Sequence, residues 1–168
     1  MMVSKYCGAM LATLALVACN ASAPSDAVAQ RPAAEKSALS PAGLDLVPLT
    51  IKSGAKTHAF TVEMARTPQE QAKGLMFRTE LAPDMGMLFP FPSPKPAGFW
   101  MKNTVISLDL LFVRADGSIE SIAANAVPYS LDPISSGEPV AAVLELAAGR
   151  AAELGLKPGD IVTWRDGR

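Results

Sequence analysis

Asp109 and Glu145 each sit inside an apolar run, and Arg78 and Lys102 each follow one. Asp109 lies between Leu108 and Leu110, and Glu145 between Leu144 and Leu146. On a strand, alternation groups Asp109 with Leu111 and Val113, and Glu145 with Val143, so each acid shares a face with hydrocarbon. A buried carboxylate without partners is costly, and each should therefore meet a cation or several donors. Arg78 and Lys102 are the candidate cations. One outcome is a pair of internal ion pairs that set strand register. Another is a small pocket in which Arg78, Trp100, Lys102, Asn103 and Asp109 meet a polar ligand. A third is hydrolysis, with Asp109 and Glu145 as acid and base across a cleft, as in glycoside hydrolysis.

Other residues widen or narrow these options. Asn103 and Thr104 follow a strand-like run, where such side chains ordinarily bond to nearby backbone in a turn. Trp100 either packs in the core or, beside Lys102, offers an aromatic platform. Met85-Gly86-Met87 puts two thioethers on one strand face. Thioethers suit Cu(I), and His58 could add a nitrogen, although Met also fills irregular cores. His58 is the only histidine, which excludes multi-His metal sites and leaves a Ser-His-acid triad one candidate base. No phosphate-cradling Gly loop, C-x-x-C or H-E-x-x-H occurs, and nothing calls for a cofactor. The formal charge of -1 and the lack of a basic stripe argue against nucleic acid as a partner.

The elements that must position these groups are short. Residues 44–52 and 58–65 read as neighbouring strands around Ser53-Gly54-Ala55. Thr67-Pro68-Gln69-Glu70 is a helix start, with Thr as N-cap, Pro in the first turn and Glu three residues on, and Gly74 stops the helix. Strands are predicted over 86–91 and 98–102, with a Pro-rich connector over 92–96. Residues 108–114 and 118–126 form a hairpin through Asp116-Gly117. A strand over 140–146, a short helix over 147–156 and a last strand over 161–164 complete the chain. The predicted fold is mainly β with a minor α+β character, a compact sandwich or barrel with two short helices.

Several segments together resemble the domain of unknown function 192 family of bacteria and archaea. They are Ala65-Arg66-Thr67-Pro68-Gln69-Glu70, Gly74-Leu75-Met76-Phe77-Arg78, Gly86-Met87-Leu88-Phe89 with Phe91, and Phe99-Trp100-Met101-Lys102-Asn103-Thr104. Leu108-Asp109 with Phe112, Val143-Leu144-Glu145-Leu146, Gly149, Leu154-Gly155-Leu156 and Gly159-Asp160 continue the match. The resemblance covers roughly residues 58–164, and Met85 departs from it, since that position is usually polar. It implies a compact β-rich domain, often exported, and implies no activity.

The amino terminus carries an address. Lys5 precedes an apolar run over residues 8–18 that falls short of the roughly 20 residues needed to span a bilayer and has the length of a signal-peptide core. It ends in Leu16-Val17-Ala18-Cys19, which resembles a bacterial lipobox, with Cys19 as the acylated residue. Cleavage after Ala21-Ser22-Ala23 or Ala27-Val28-Ala29 is the alternative. Asn20 after the Cys favours the outer membrane. Of the two cysteines, Cys7 leaves with the signal, so the mature domain has neither disulfide nor thiol nucleophile. Residues 1–19 are thus read as a lipoprotein signal, 20–43 as a flexible tether rich in Ala, Ser and Pro, and 44–168 as one domain. The expectation is a membrane-tethered, non-enzymatic envelope domain that binds a small polar ligand, an envelope polymer or a protein.

Overall fold

The structure, a computed structural model, describes residues 38–165. In chain order the elements are β1 (Leu46–Ser53), β2 (Lys56–Met64), α1 (Pro68–Lys73), β3 (Met85–Lys95), β4 (Gly98–Phe99) and β5 (Leu108–Val113). Then follow β6 (Ile119–Ala126), β7 (Ile134–Ser135), β8 (Val140–Ala147), α2 (Arg150–Leu154) and β9 (Ile161–Trp164).

Strict alternation builds the first hairpin. Val47, Leu49 and Ile51 are buried while Pro48, Thr50 and Lys52 are exposed, and β1 pairs antiparallel with β2 from Leu46↔Glu63 to Ser53↔Lys56. The predicted capping box closes α1: Thr67 Oγ1 accepts from the Glu70 backbone, and the Glu70 carboxylate accepts from the Thr67 backbone at 2.8 Å. Residues 65–84, which include α1, carry the chain across to β3, which runs parallel to β2. β8 pairs antiparallel with both β3 and β5, giving one seven-stranded sheet of order β6-β5-β8-β3-β2-β1-β9.

The sheet curls until its two ends touch. The Val162 amide donates to Gly117 O at 2.8 Å, the Ile119 amide donates to Asp160 O at 2.8 Å, and Ser118 bridges Ile161. Gly117 has φ 85 and a Cβ there would lie 2.8 Å from Val162 O, so this approach needs glycine. The contact joins the β5–β6 turn to β9 and leaves the barrel unclosed.

Two apolar clusters form, one on each face. Leu88, Leu111, Val113, Leu144 and Leu146 pack with Val47, Leu49, Ile51 and Val162 on the inner face. Met87, Phe89, Leu108, Leu110, Phe112 and Val143 pack with Leu75, Ala97 and Met101 on the other. β5 is therefore buried along its whole length, which is why its sequence is apolar on both sides of its alternation.

The structure departs from the sequence reading in four places. The Pro-rich segment continues β3 to Lys95, with a register shift between Pro90 and Lys95 that lets prolines into the strand. The strand expected over 98–102 stops at Phe99, paired with β7, which the sequence did not suggest. The helix over 147–156 shrinks to Arg150–Leu154, because β8 runs on to Ala147 and Gly149 turns at φ 80. Finally, packing reaches back before residue 44: Ser40 is buried, its Oγ accepts from the Leu44 amide, and Leu39 bridges Asp45. Residues 1–37, with Cys19 and the rest of the expected signal and tether, lie outside the described residues.

Candidate functional site

The two acids meet different fates. Asp109 is fully buried on the inner face, as its alternation with Leu111 and Val113 requires. Its Oδ1 accepts from the amides of Asn125 at 2.9 Å and Gly149 at 3.1 Å, and its Oδ2 accepts from Ala151 at 2.9 Å. Gly149 has no side chain with which to cap α2, and Asp109 supplies the cap from across the fold. Three backbone donors offset the desolvation of this carboxylate. No cation reaches it among the described residues, so the expected pairing with Arg78 or Lys102 is replaced by backbone capping.

Arg78 has another partner. Its Nη2 reaches Glu63 Oε1 at 3.0 Å and Oε2 at 2.8 Å. Glu63 is buried on β2 opposite Met87, an acid in an apolar run that the sequence reading passed over. Its setting between Val62 and Met64 was the available signal.

Glu145 lies on the other face, beside Met87 of β3 and Leu110 of β5 in register. The residue is 5% exposed, and its Oε2 has no hydrogen-bond partner. Burial pushes its carboxyl up to about 8, so it stays protonated at neutral pH. Gly86 lets β3 approach β8 closely here, because a Cβ would stand 2.7 Å from the Glu145 backbone O and 2.9 Å from Leu146 Cδ2.

Glu145 lines a cavity of about 360 Å³. Its other walls are the end of α1 with the loop to Met76, β3 at Phe89 and Phe91, the segment from Lys95 to Trp100, and Thr104. Phe89 and Phe99 meet edge to face, 5.1 Å between centroids. Lys95 Nζ stands 4.3 Å over the Phe91 ring, and Lys102 Nζ stands 5.3 Å from the Trp100 ring. The Thr104 hydroxyl donates to Lys102 O and does not reach Glu145. A protonated carboxyl at the edge of an aromatic-walled space can donate one hydrogen bond and accept others.

Of the expected recognition residues, Trp100, Lys102 and Asn103 are contiguous at this end of the molecule. Trp100 is 52% exposed and lines the cavity, so it serves the surface and not the core. Asn103 adopts φ 55, accepts from the Phe77 amide and directs its own amide toward Met76 Sδ at 3.8 Å, which makes it a loop-fixing residue beside the site. Arg78 follows in the same loop, tied to Glu63. Asp109 stands apart on the opposite face.

The copper grouping is also divided. Met87 is wholly buried in the outer cluster, and Met85 shares its alternation. His58 alternates instead with Phe60 and Val62 of the inner cluster, and its buried Nε2 has no partner. Opposite sheet faces keep the imidazole away from the thioethers.

Comparison with known proteins bears on the family and the fold. The family model DUF192, described as "Uncharacterized ACR", matches residues 49–164. A crystal structure of a protein of unknown function from Novosphingobium aromaticivorans DSM 12444 is 51% identical, with a TM-score of 0.75, covering 80% of this chain and 98% of that one. A protein of Sinorhizobium meliloti 1021 named a "putative transcription regulator" is 45% identical, with a TM-score of 0.71, covering 72% of this chain and 95% of that one. No curated protein matches. The chain belongs to the DUF192 family.

Proposed function

We propose that this DUF192 protein is a non-enzymatic binding module of the bacterial envelope, tethered through a lipid on Cys19, whose small polar ligand enters the Glu145 cavity. The observation that carries the reading is the unpartnered Oε2 of a buried carboxyl on the wall of an open, aromatic-lined space. An unsatisfied buried polar atom costs about 1–3 kcal/mol, and a purely structural site has no reason to keep one. The volume lies at the lower end of the range of about 300–1,000 Å³ typical of small-ligand sites. Trp100 at the cavity wall and Lys102 against its ring extend the same surface outward.

The competing hydrolase reading loses its support because Asp109 and Glu145 open to different faces and share no cleft. The Cu(I) reading keeps Met85 and Met87 on one face but loses the optional nitrogen of His58, which lies on the opposite face.

The test is a small-molecule panel read by Trp100 fluorescence and by melting temperature. A ligand should raise Tm, and Trp100→Ala and Ala97→Phe should each abolish that rise, the second by filling the cavity. A ligand whose binding ignores both changes would refute this site.

A further inference from the structure

Resting on the cavity as the binding site, we propose that its ligand is a small zwitterion, whose ammonium group is taken by Glu145 among aromatic rings and whose anionic group faces Lys73 and Lys95. Among the described residues no cation pairs with Glu145, and Lys73 stands exposed on the cavity wall. Arg78 holds Glu63, Lys102 lies against Trp100, and Lys95 lies over Phe91. The strands on either side offer only Met87 and Leu110. No described residue supplies the partner that Oε2 lacks, and a ligand in the cavity can.

The walls select its charge. Phe89, Phe91, Phe99 and Trp100 all line the space, and aromatic faces attract cations most strongly where water is excluded. Lys95 already shows a ring of this wall accepting an ammonium at 4.3 Å. A ligand ammonium would gain the carboxylate as well, displacing the proton that burial keeps on Glu145 when the cavity is empty. Among the described residues, Lys73 and Lys95 are the other charged residues lining the cavity, and both are exposed. They repel a simple monocation and favour a molecule carrying its own anion toward the solvent side.

The experiment uses four probes of one shape against the full chain: phenylalanine, phenethylamine, 3-phenylpropionate and phenethyl alcohol. Isothermal titration should rank phenylalanine first and phenethylamine second, with phenylalanine about tenfold tighter than phenethyl alcohol. Glu145→Gln should erase the preference for the amines over the alcohol. Titration of the unmutated chain in two buffers of different ionisation enthalpy should show about one proton released per amine bound at neutral pH. The inference is overturned if phenylpropionate or the alcohol binds as well as the amines, if Glu145→Gln keeps the preference, or if no proton is released. Non-amine binding that Ala97→Phe removes would leave the cavity as a binding site. Absence of binding by all four overturns the zwitterion, and a wider panel that also finds nothing would overturn the site.

Discussion

Asp109 and Glu145 lie on adjacent antiparallel strands, Asp109 beside Leu146 and Glu145 beside Leu110, yet their side chains leave the sheet on opposite faces. One residue of offset decides their chemistry. Asp109 enters a shell of backbone amides, whereas Glu145 enters the cavity walled by Phe89, Phe99 and Trp100.

Asp109→Asn should destabilise the domain by about 2–3 kcal/mol, because an amide NH₂ replaces an acceptor facing backbone donors. Urea unfolding measures this, and ligand binding at the Glu145 cavity should persist in the folded fraction. A loss below about 0.5 kcal/mol would show that capping of α2 does not depend on the carboxylate.

Glu145 should make the protein less stable as pH rises. Its carboxyl is raised from 4.5 to about 8 in the folded chain, so between these values the folded state keeps a proton that the unfolded state has lost. Stability then falls by at most about 1.4 kcal/mol per pH unit through that window and levels off above it. Glu145→Gln removes the dependence, so its advantage in urea midpoint over the unmutated chain should grow from pH 5 to pH 8. A constant difference would mean that Glu145 ionises normally.

The Arg78–Glu63 pair should behave as a partly buried ion pair. Arg78→Met strands a carboxylate whose side chain is 4% exposed and should cost about 3 kcal/mol. Adding Glu63→Met should recover most of that loss, since two apolar side chains replace two desolvated charges. A double mutant as unstable as Arg78→Met alone would place the loss in packing and not in charge.

If the proposed anchor is real, Cys19→Ala should release the protein from membranes into the soluble fraction, because stable anchoring requires acyl chains. Unchanged fractionation would remove the lipobox from the account.

Local chemistry made much of the fold legible in advance. Alternation at Val47, Leu49 and Ile51, the Thr67–Glu70 capping box and the Asp116-Gly117 turn each act over a few residues, and each is found where the spacing places it. Long-range features were not legible. β7 has two residues and no pattern of its own, and it exists because Phe99 offers it an edge. The parallel β2–β3 pairing likewise joins segments separated by a helix.

For the site, the neighbours along the chain marked Asp109 and Glu145 as acids in hydrocarbon and put Trp100, Lys102 and Asn103 near one another. Partners were another matter. Glu63 took Arg78, backbone amides took Asp109, and Glu145 was left facing a cavity walled by residues from α1, β3 and β4. Side-chain type and alternation are properties of neighbours along the chain, so they could be read directly. Which donors meet which acceptors depends on strand order and register, and only the folded sheet, by bringing Leu110 and Met87 to either side of Glu145, decided that this carboxyl would have none.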